Sequence, residues 1–337
     1  MSACSSLVTI VKHGDSRVVQ FSHFSVKEFL TADRLAEPVR DVSRYHIRLE
    51  AAHTIVAQAC LGVLLRLDDR LDRGSIKSFP LARYAAQYWP THAQVESVSS
   101  CIKDGMECLF DAEKRNFSTW LWIYDENRRG RSMTTTRPEK PEGVPLYYAA
   151  TLGFRDLAEH LIAKHPEHVN ATGGNEVTPM HVAAFTGHAN VLSLLTEHGG
   201  DVNGRGRFGY TPLHRASISG KLEAGQILLD RGGDINARAG SGETALICAA
   251  YLGHVEFARM LLERGALIDI RDSDGWTALH WAAFYNRIQV ARLLLEHGAD
   301  VNARNKSGET PSQLGSSHGR DEIVELLSAY GAESVKQ

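Results

Sequence analysis

The chain has 337 residues, enough for about two domains, and its 43% apolar and 23% charged residues are those of an ordinary folded protein. A net charge of −3 excludes an overall basic field that would draw it to nucleic acid or anionic lipid. The five cysteines, Cys4, Cys60, Cys101, Cys108 and Cys248, are odd in number and lack Cys-x-x-Cys spacing, which argues against a disulfide framework or a zinc site and for a reducing compartment.

Residues 1–15 lack a basic segment followed by a long apolar core, so they do not read as a secretory signal. Residues 7–12 alternate apolar and polar, His13-Gly-Asp-Ser supplies a turn, and residues 17–21 form a second strand, which predicts a hairpin. Ser25 can cap a following helix, with Glu28 three residues on completing a capping box. Residues 43–67 carry Ile47, Ala51, Ile55, Ala59, Val63 and Leu67 four apart and predict a long helix. Its apolar stretch contains His53, Gln58 and Arg66, too short and too polar to span a membrane, and reads as a buried helix. Residues 79–88 predict another helix, ended by Trp89-Pro90; residues 93–110 and 116–124 predict two more. Tyr84, Tyr88, Trp89, Trp120 and Trp122 are expected in the core of this helical domain or at its contact with the next domain. Residues 126–143 have no apolar period and contain Pro138 and Pro141, so they read as a linker whose Arg128-Arg-Gly-Arg cluster is a solvated loop, a localisation signal or an anion contact.

Several segments of this first part carry a resemblance: Phe21-Ser-His-Phe-Ser-Val-Lys-Glu-Phe-Leu, Ala52-His53, Ala59-Cys60-Leu61, Pro80-Leu-Ala-Arg-Tyr-Ala-Ala-Gln-Tyr-Trp and Thr91-His-Ala. Residues 5–125 resemble the winged-helix and helical region that follows the NTPase module in fungal NACHT-type signalling ATPases, which often end in ankyrin arrays. The resemblance implies association with a nucleotide-driven switch. The NTPase module itself is not in this chain: the only Gly-Lys pair, Gly220-Lys221, has Arg215 where a P-loop needs its first glycine and Leu222 where it needs Ser or Thr.

From residue 142 to 332 the sequence repeats. Glu176-Val-Thr-Pro-Met-His-Val-Ala-Ala, Gly209-Tyr-Thr-Pro-Leu-His-Arg-Ala-Ser, Gly242-Glu-Thr-Ala-Leu-Ile-Cys-Ala-Ala, Gly275-Trp-Thr-Ala-Leu-His-Trp-Ala-Ala and Gly308-Glu-Thr-Pro-Ser-Gln begin 33 residues apart. An earlier copy, Pro145-Leu-Tyr-Tyr-Ala-Ala, precedes Pro179 by 34. Each copy predicts two short helices. In the fourth, Thr244 caps the first, Leu246, Ala249 and Ala250 bury one face, and Gly253 ends it. The second then turns Val255, Phe257, Ala258, Leu261 and Leu262 inward before Gly265. Pro179, Pro212 and Pro311 sit at the first helical position, where no donor is lost. Helices this short are not stable alone, so stacking must hold them. Gly225, inside the second helix of the third copy, costs roughly 0.5–1 kcal/mol against Ala and marks that helix as the softest seam. Ser312, Gln313, Gly315 and Ser316 replace the apolar core of the sixth copy, as suits a terminal cap with a wetter face.

Six copies at this period with a Thr-Pro-Leu-His core resemble the ankyrin family. The resemblance implies that His181, His214 and His280 are structural hydrogen-bonding residues, and that protein partners dock on the hairpin tips and on the concave face of the first helices. Residues after each Ala-Ala pair lie on that face. The expected fold is mainly α: an ankyrin-repeat solenoid at 142–332, preceded by a partial winged-helix-like hairpin and helix at 1–35, a helical domain at 36–125 and a linker at 126–141. The expected function is a non-enzymatic protein-interaction scaffold, the alternative being a sensor or regulatory fragment of a NACHT-type switch. Candidate partner-binding residues are Phe185, Arg207, Phe208, Tyr210, Ile218, Tyr251, Leu252, Asp274, Trp276, Phe284 and Tyr285, because this much apolar surface at solvent-facing positions signals an interface.

No chemistry competes with that reading. Asp269-Ile-Arg-Asp-Ser-Asp-Gly275 looks like a calcium loop, but that register puts Ile270 first and Trp281 last among the ligands. Gly240-Ser-Gly242 lacks the outer spacing of a nucleophile elbow. No catalytic, cofactor-binding or metal-binding residues are expected, nor a membrane or nucleic-acid partner; the expected location is cytoplasmic, with the nucleus left open.

Overall fold

Residues 8–13, 16–21, 49–67, 80–95, 98–111, 114–129, 143–173 and 176–332 are described in a computed structural model. The helix expected after Ser25, residues 43–48 of the long helix and residues 130–142 of the linker lie outside them. Two compact units share the chain, Met1–Gly105 with Ile123–Ser132 and Met106–Trp122 with Met133–Gln337.

In the first unit, β1 (Val8–His13) pairs antiparallel with β2 (Ser16–Phe21), Val8 opposite Phe21 and His13 opposite Ser16, the expected hairpin. Helix α1 (Leu49–Leu65) packs along α2 (Pro80–Ala93), and both touch the single turn α3 (Val98–Cys101). The buried side of α1 differs from the expected one. Ala51 and Ala59 are exposed and Ile55 is 61% exposed, while His53, Ala57, Cys60, Leu61 and Leu64 face inward. At 3.6 residues per turn a strict spacing of four drifts by about 40° per step, so positions spaced by four from Ala51 onward cannot share one face. Helix α2 also runs through Trp89-Pro90 to Ala93 rather than stopping there. Pro90 forfeits one backbone bond near the helix end, and burial of Trp89, His92 and Ala93 holds the last turn. Tyr84 and Tyr88, expected in the core or at the contact with the next domain, are exposed, with their rings tilted against each other at 4.9 Å.

Residues 93–110 do not form one helix: Val98–Cys101 is followed by α4 (Lys103–Leu109). Helix α5 (Arg115–Arg129) extends beyond the predicted 116–124. The boundary between units falls within α4 and within α5. On the second unit's side, Phe110, Phe117 and Trp120 form a buried aromatic knot, ring centroids 5.2–5.9 Å apart. Phe117 and Trp120 meet Tyr148 edge-on at 5.6 and 6.2 Å, so this segment caps the open side of the first repeat.

The six repeats pair α6 (Pro145–Leu152) with α7 (Arg155–Lys164), α8 (Pro179–Thr186) with α9 (Ala189–Glu197), α10 (Pro212–Ser219) with α11 (Leu222–Asp230), α12 (Ala245–Leu252) with α13 (Val255–Glu263), α14 (Ala278–Phe284) with α15 (Ile288–Glu296), and α16 (Pro311–Ser317) with α17 (Asp321–Ala329). First helices pack on one another more closely than second helices do, because alanines line their contacts. Within α13, Phe257, Ala258, Met260 and Leu261 are buried, whereas Val255 and Leu262 are only half-buried. In the terminal repeat Gln313 and Ser316 are exposed, but Ser312 and Gly315 are buried, so that face is small rather than wet.

Gly225 has a physical reason. A Cβ there would stand 2.6 Å from Cζ and 2.7 Å from Cε2 of Phe257, the residue of the next repeat that occupies the volume left by the small pair Ala224-Gly225. Phe257 is 1% exposed. A large side chain in one repeat thus compensates small ones in its neighbour.

Candidate functional site

The motif histidines are consumed by structure. In three repeats the Thr N–H (Thr178, Thr211, Thr277) donates to Nδ1 of His181, His214 or His280 at 3.3, 3.2 and 3.1 Å, closing a capping box. Nε2 of each ring lies 3.0, 3.0 and 3.2 Å from the carbonyl of Tyr210, Glu243 or Glu309 in the next repeat. Only an N–H can pair with a carbonyl, so Nε2 donates and Nδ1 accepts. Burial, the largest cause, pushes His181 down to about 4 and also lowers His214 and His280. These rings are neutral, saturated and unavailable to a metal. The fourth repeat has Ile247 in this place and keeps only the cap, Ile247 N–H to Thr244 Oγ1 at 3.3 Å.

Two further rails join the hairpins. Asn170, Asn203 and Asn236 accept through Oδ1 the backbone N–H of Asp201, Asp234 and Leu267 at 2.8, 2.7 and 2.9 Å. Arg205 and Arg238 donate to the carbonyls of Arg238 and Arg271 at 2.8 and 2.7 Å, and Arg271 donates in the same way to Arg304. Hairpin tips supported by such rails are fixed platforms for the side chains they carry.

On the first-helix face, α12 and α14 with the intervening hairpin bring together Tyr251, Trp276, Trp281, Phe284 and Tyr285. Trp276 and Trp281 are 4.6 Å apart, Trp281 and Tyr285 stack at 5.9 Å with 10° between planes, and Tyr251 lies 5.9 Å from Trp281 and 6.1 Å from Tyr285. Phe284 touches Trp276 at 5.3 Å and His318 of the last repeat at 4.5 Å. Asp272 orients the group: its carboxylate accepts from Trp281 Nε1 at 2.7 Å and from the N–H of Asp274 and Trp276 at 2.9 and 2.8 Å. The one buried carboxylate of the loop that looks like a calcium site is thus committed to the turn. The pair rule for aromatics gives each such contact about 0.5–1.5 kcal/mol beyond area burial.

The other candidate residues are dispersed along the same side. Tyr210 lies half-buried beside His214 and under the Arg215 guanidinium, 5.5 Å from ring to Cζ. Burial is the main cause that pushes the Tyr210 hydroxyl up to about 12, and it also raises that of Tyr251. Ile218 and Leu252 are half-buried, Asp274 is exposed, and Phe185 and Tyr285 are 45% and 43% exposed. Phe208 is 64% exposed in a left-handed conformation (φ 61°), with Arg207 against its ring at 4.6 Å. A non-glycine residue held this way stores strain at a point that faces solvent. Trp281 and Arg215 lie against these candidates although neither was among them, Trp281 beside Tyr251 and Trp276 and Arg215 over Tyr210; both occupy the position after the motif histidine, and aligning that column across the repeats would have found them.

Among the described residues no helix is long and apolar enough to cross a membrane. A family model for "Ankyrin repeats (3 copies)" matches residues 146–239, 233–305 and 272–337, more than half of the chain. A protein from Monascus ruber, "Azaphilone pigments biosynthesis cluster protein L", is 34% identical over 210 residues, 57% of this chain and 44% of that protein. "Ankyrin repeat and SAM domain-containing protein 6" from Mus musculus is 31% identical over 96 residues, 28% of this chain and 10% of that protein. The matches span less than half the length of either relative.

Proposed function

We propose, for a chain that belongs to the ankyrin-repeat family, that it is a non-enzymatic scaffold whose array holds a partner protein on the first-helix face and hairpin tips. The observation that carries this is the aromatic group Tyr251, Trp276, Trp281, Phe284 and Tyr285, oriented by a buried carboxylate and still partly open to solvent. Rigid aromatic side chains lose little entropy on contact and anchor interfaces. Phe185, Phe208, Tyr210, Ile218 and Leu252 extend the surface, with Arg207 and Asp274 as its charged rim. The Monascus ruber relative is named for an azaphilone pigment biosynthesis cluster, which makes other proteins of such a cluster the first partners to screen.

The test compares two truncations in the full chain. Tyr251→Ala should cost about 1–3 kcal/mol of stability, about 0.5–1.5 for each of its two ring contacts, and abolish partner retention in an affinity pull-down. Leu261→Ala, fully buried, should cost about 2–5 kcal/mol. Equal destabilisation by both, with retained partners unchanged by Tyr251→Ala, would leave the aromatic group as packing only.

A second reading rests on the first unit, whose hairpin and helices form a body of their own. With the resemblance of residues 5–125, this supports a sensor or regulatory segment working with a NACHT-type ATPase. Co-purification with such an ATPase that survives loss of the aromatic group would favour it; capture of partners by the repeats alone would favour the scaffold.

A further inference from the structure

We propose that His165, Glu167 and His168 form a binding site for a divalent transition-metal ion of the zinc class. One ring nitrogen of each histidine and a Glu167 carboxylate oxygen lie within 4.8 Å of one another. His165 Nδ1 is 3.2 Å and His168 Nε2 3.8 Å from Glu167 Oε1. A tetrahedral ion with bonds of about 2.0–2.1 Å needs donors about 3.3 Å apart, so side-chain rotation that closes the widest pair by at most about 1.5 Å completes the geometry. The two imidazoles stack at 4.8 Å with 24° between planes, so one ring must turn about its side-chain bonds for both to ligate a single ion. His168 Nδ1 is buried without a hydrogen-bond partner, so no other bond fixes that ring in a different role.

The backbone beneath the three residues is held at both ends. Helix α7 stops at Lys164, and a 3-10 turn, Pro166–Asn170, follows with Val169 buried. Asn170 closes the turn onto the second repeat, donating to Gly199 O at 2.9 Å and accepting from Asp201 N–H at 2.8 Å. This turn is also where the array leaves its period. The His188–Thr151 link spans 37 residues where His254–Ile218 and Arg287–Tyr251 span 36, yet Asn170–Asp201 spans the same 31 as the later Asn links. The extra residue of the first repeat therefore falls between Thr151 and Asn170, and the turn carries His-Pro-Glu-His where the next one carries His198-Gly-Gly-Asp.

Two imidazoles and one carboxylate suit Zn²⁺, Ni²⁺ or Cu²⁺, not Ca²⁺ or Mg²⁺, which take sets of oxygens. Three protein ligands leave one coordination position for water. The ion would tie the end of α7 to the turn that docks on the second repeat, independently of any partner on the first-helix face.

The probe is zinc chloride titrated into the full chain by calorimetry, with Co²⁺ substitution read by its ligand-field absorption. One equivalent should bind with the loss of affinity, at least about tenfold, in His165→Ala, His168→Ala and Glu167→Gln. His297→Ala, an exposed histidine in the fifth repeat, should leave it unchanged. His168→Gln serves where circular dichroism shows His168→Ala unfolded. Zinc affinity unchanged in the His165→Gln/His168→Gln double variant, or no cobalt spectrum sensitive to these residues, would overturn the assignment.

Discussion

Replacing a glycine inside a helix with alanine ordinarily stabilises by about 0.5–1 kcal/mol, because glycine loses more backbone freedom on folding. At Gly225 the sign should reverse. The added Cβ would lie 2.6 and 2.7 Å from two ring carbons of Phe257 and 3.1 Å from Cε of Met260. Carbon atoms rest at about 3.5–4.0 Å, so the ring must retreat by about 1 Å. Phe257 is buried against α11 and has no open space to take, and overpacking of this size costs about 1–3 kcal/mol. Gly225→Ala should therefore lower stability by roughly 0.5–2 kcal/mol. Phe257→Leu removes the obstructing ring edge; in that background the same alanine should be neutral or stabilising. The assay is urea unfolding of the four variants, and the coupling between the two sites should be about 1–3 kcal/mol. A midpoint raised by Gly225→Ala in the native background, or shifted equally in both, would refute the large-against-small fit between the third and fourth repeats.

Acid should weaken the array through its neutral histidines. His181 has a folded value of about 4 against an ordinary 6.5, so the unfolded chain binds its proton first, and stability is lost as pH falls from about 6.5 to about 4. The full loss is roughly 3 kcal/mol for this residue at 1.36 kcal/mol per unit, and His214 and His280 add in the same direction. Gln313 already performs the cap without a titrating ring, its Oε1 accepting from Thr310 N–H at 2.8 Å; His181→Gln should accordingly flatten the stability–pH slope measured by denaturant midpoints, and an unchanged slope would refute the assignment. Phe208→Gly should relieve the left-handed strain, worth about 1–2 kcal/mol, while weakening partner retention; a loss of thermal stability would show that the ring supports the hairpin instead.

The repeats were legible because their period, caps and alanine contacts are local and recur in register. Thr244, Gly253 and the prolines at the first helical position fall where the sequence places them. Less legible was anything set by a neighbour. Gly225 reads as a cost in the sequence, and only the position of Phe257 above it gives it a reason. In the first unit the four-residue spacing of Ala51, Ile55 and Ala59 gave the right helix and the wrong face. There the inward side includes His53, paired Nδ1 to Nδ1 with His92 at 2.8 Å, a polar contact that no apolar pattern records. His165-Pro-Glu-His sits where the repeat is irregular, so no column of the repeat marks it, and only the fold brings its three donors within 4.8 Å of one another.

The rails along the hairpins have a consequence for how such a chain can change in length. Their bonds join residues 29, 31 or 33 positions apart, from His214 to Glu243, Asn203 to Asp234 and Arg205 to Arg238. Excising or duplicating one whole unit hands every donor an equivalent acceptor in the copy that becomes adjacent. Deleting a single residue within a hairpin strands all of them at once, so growth or loss by complete modules is the change this architecture tolerates most readily.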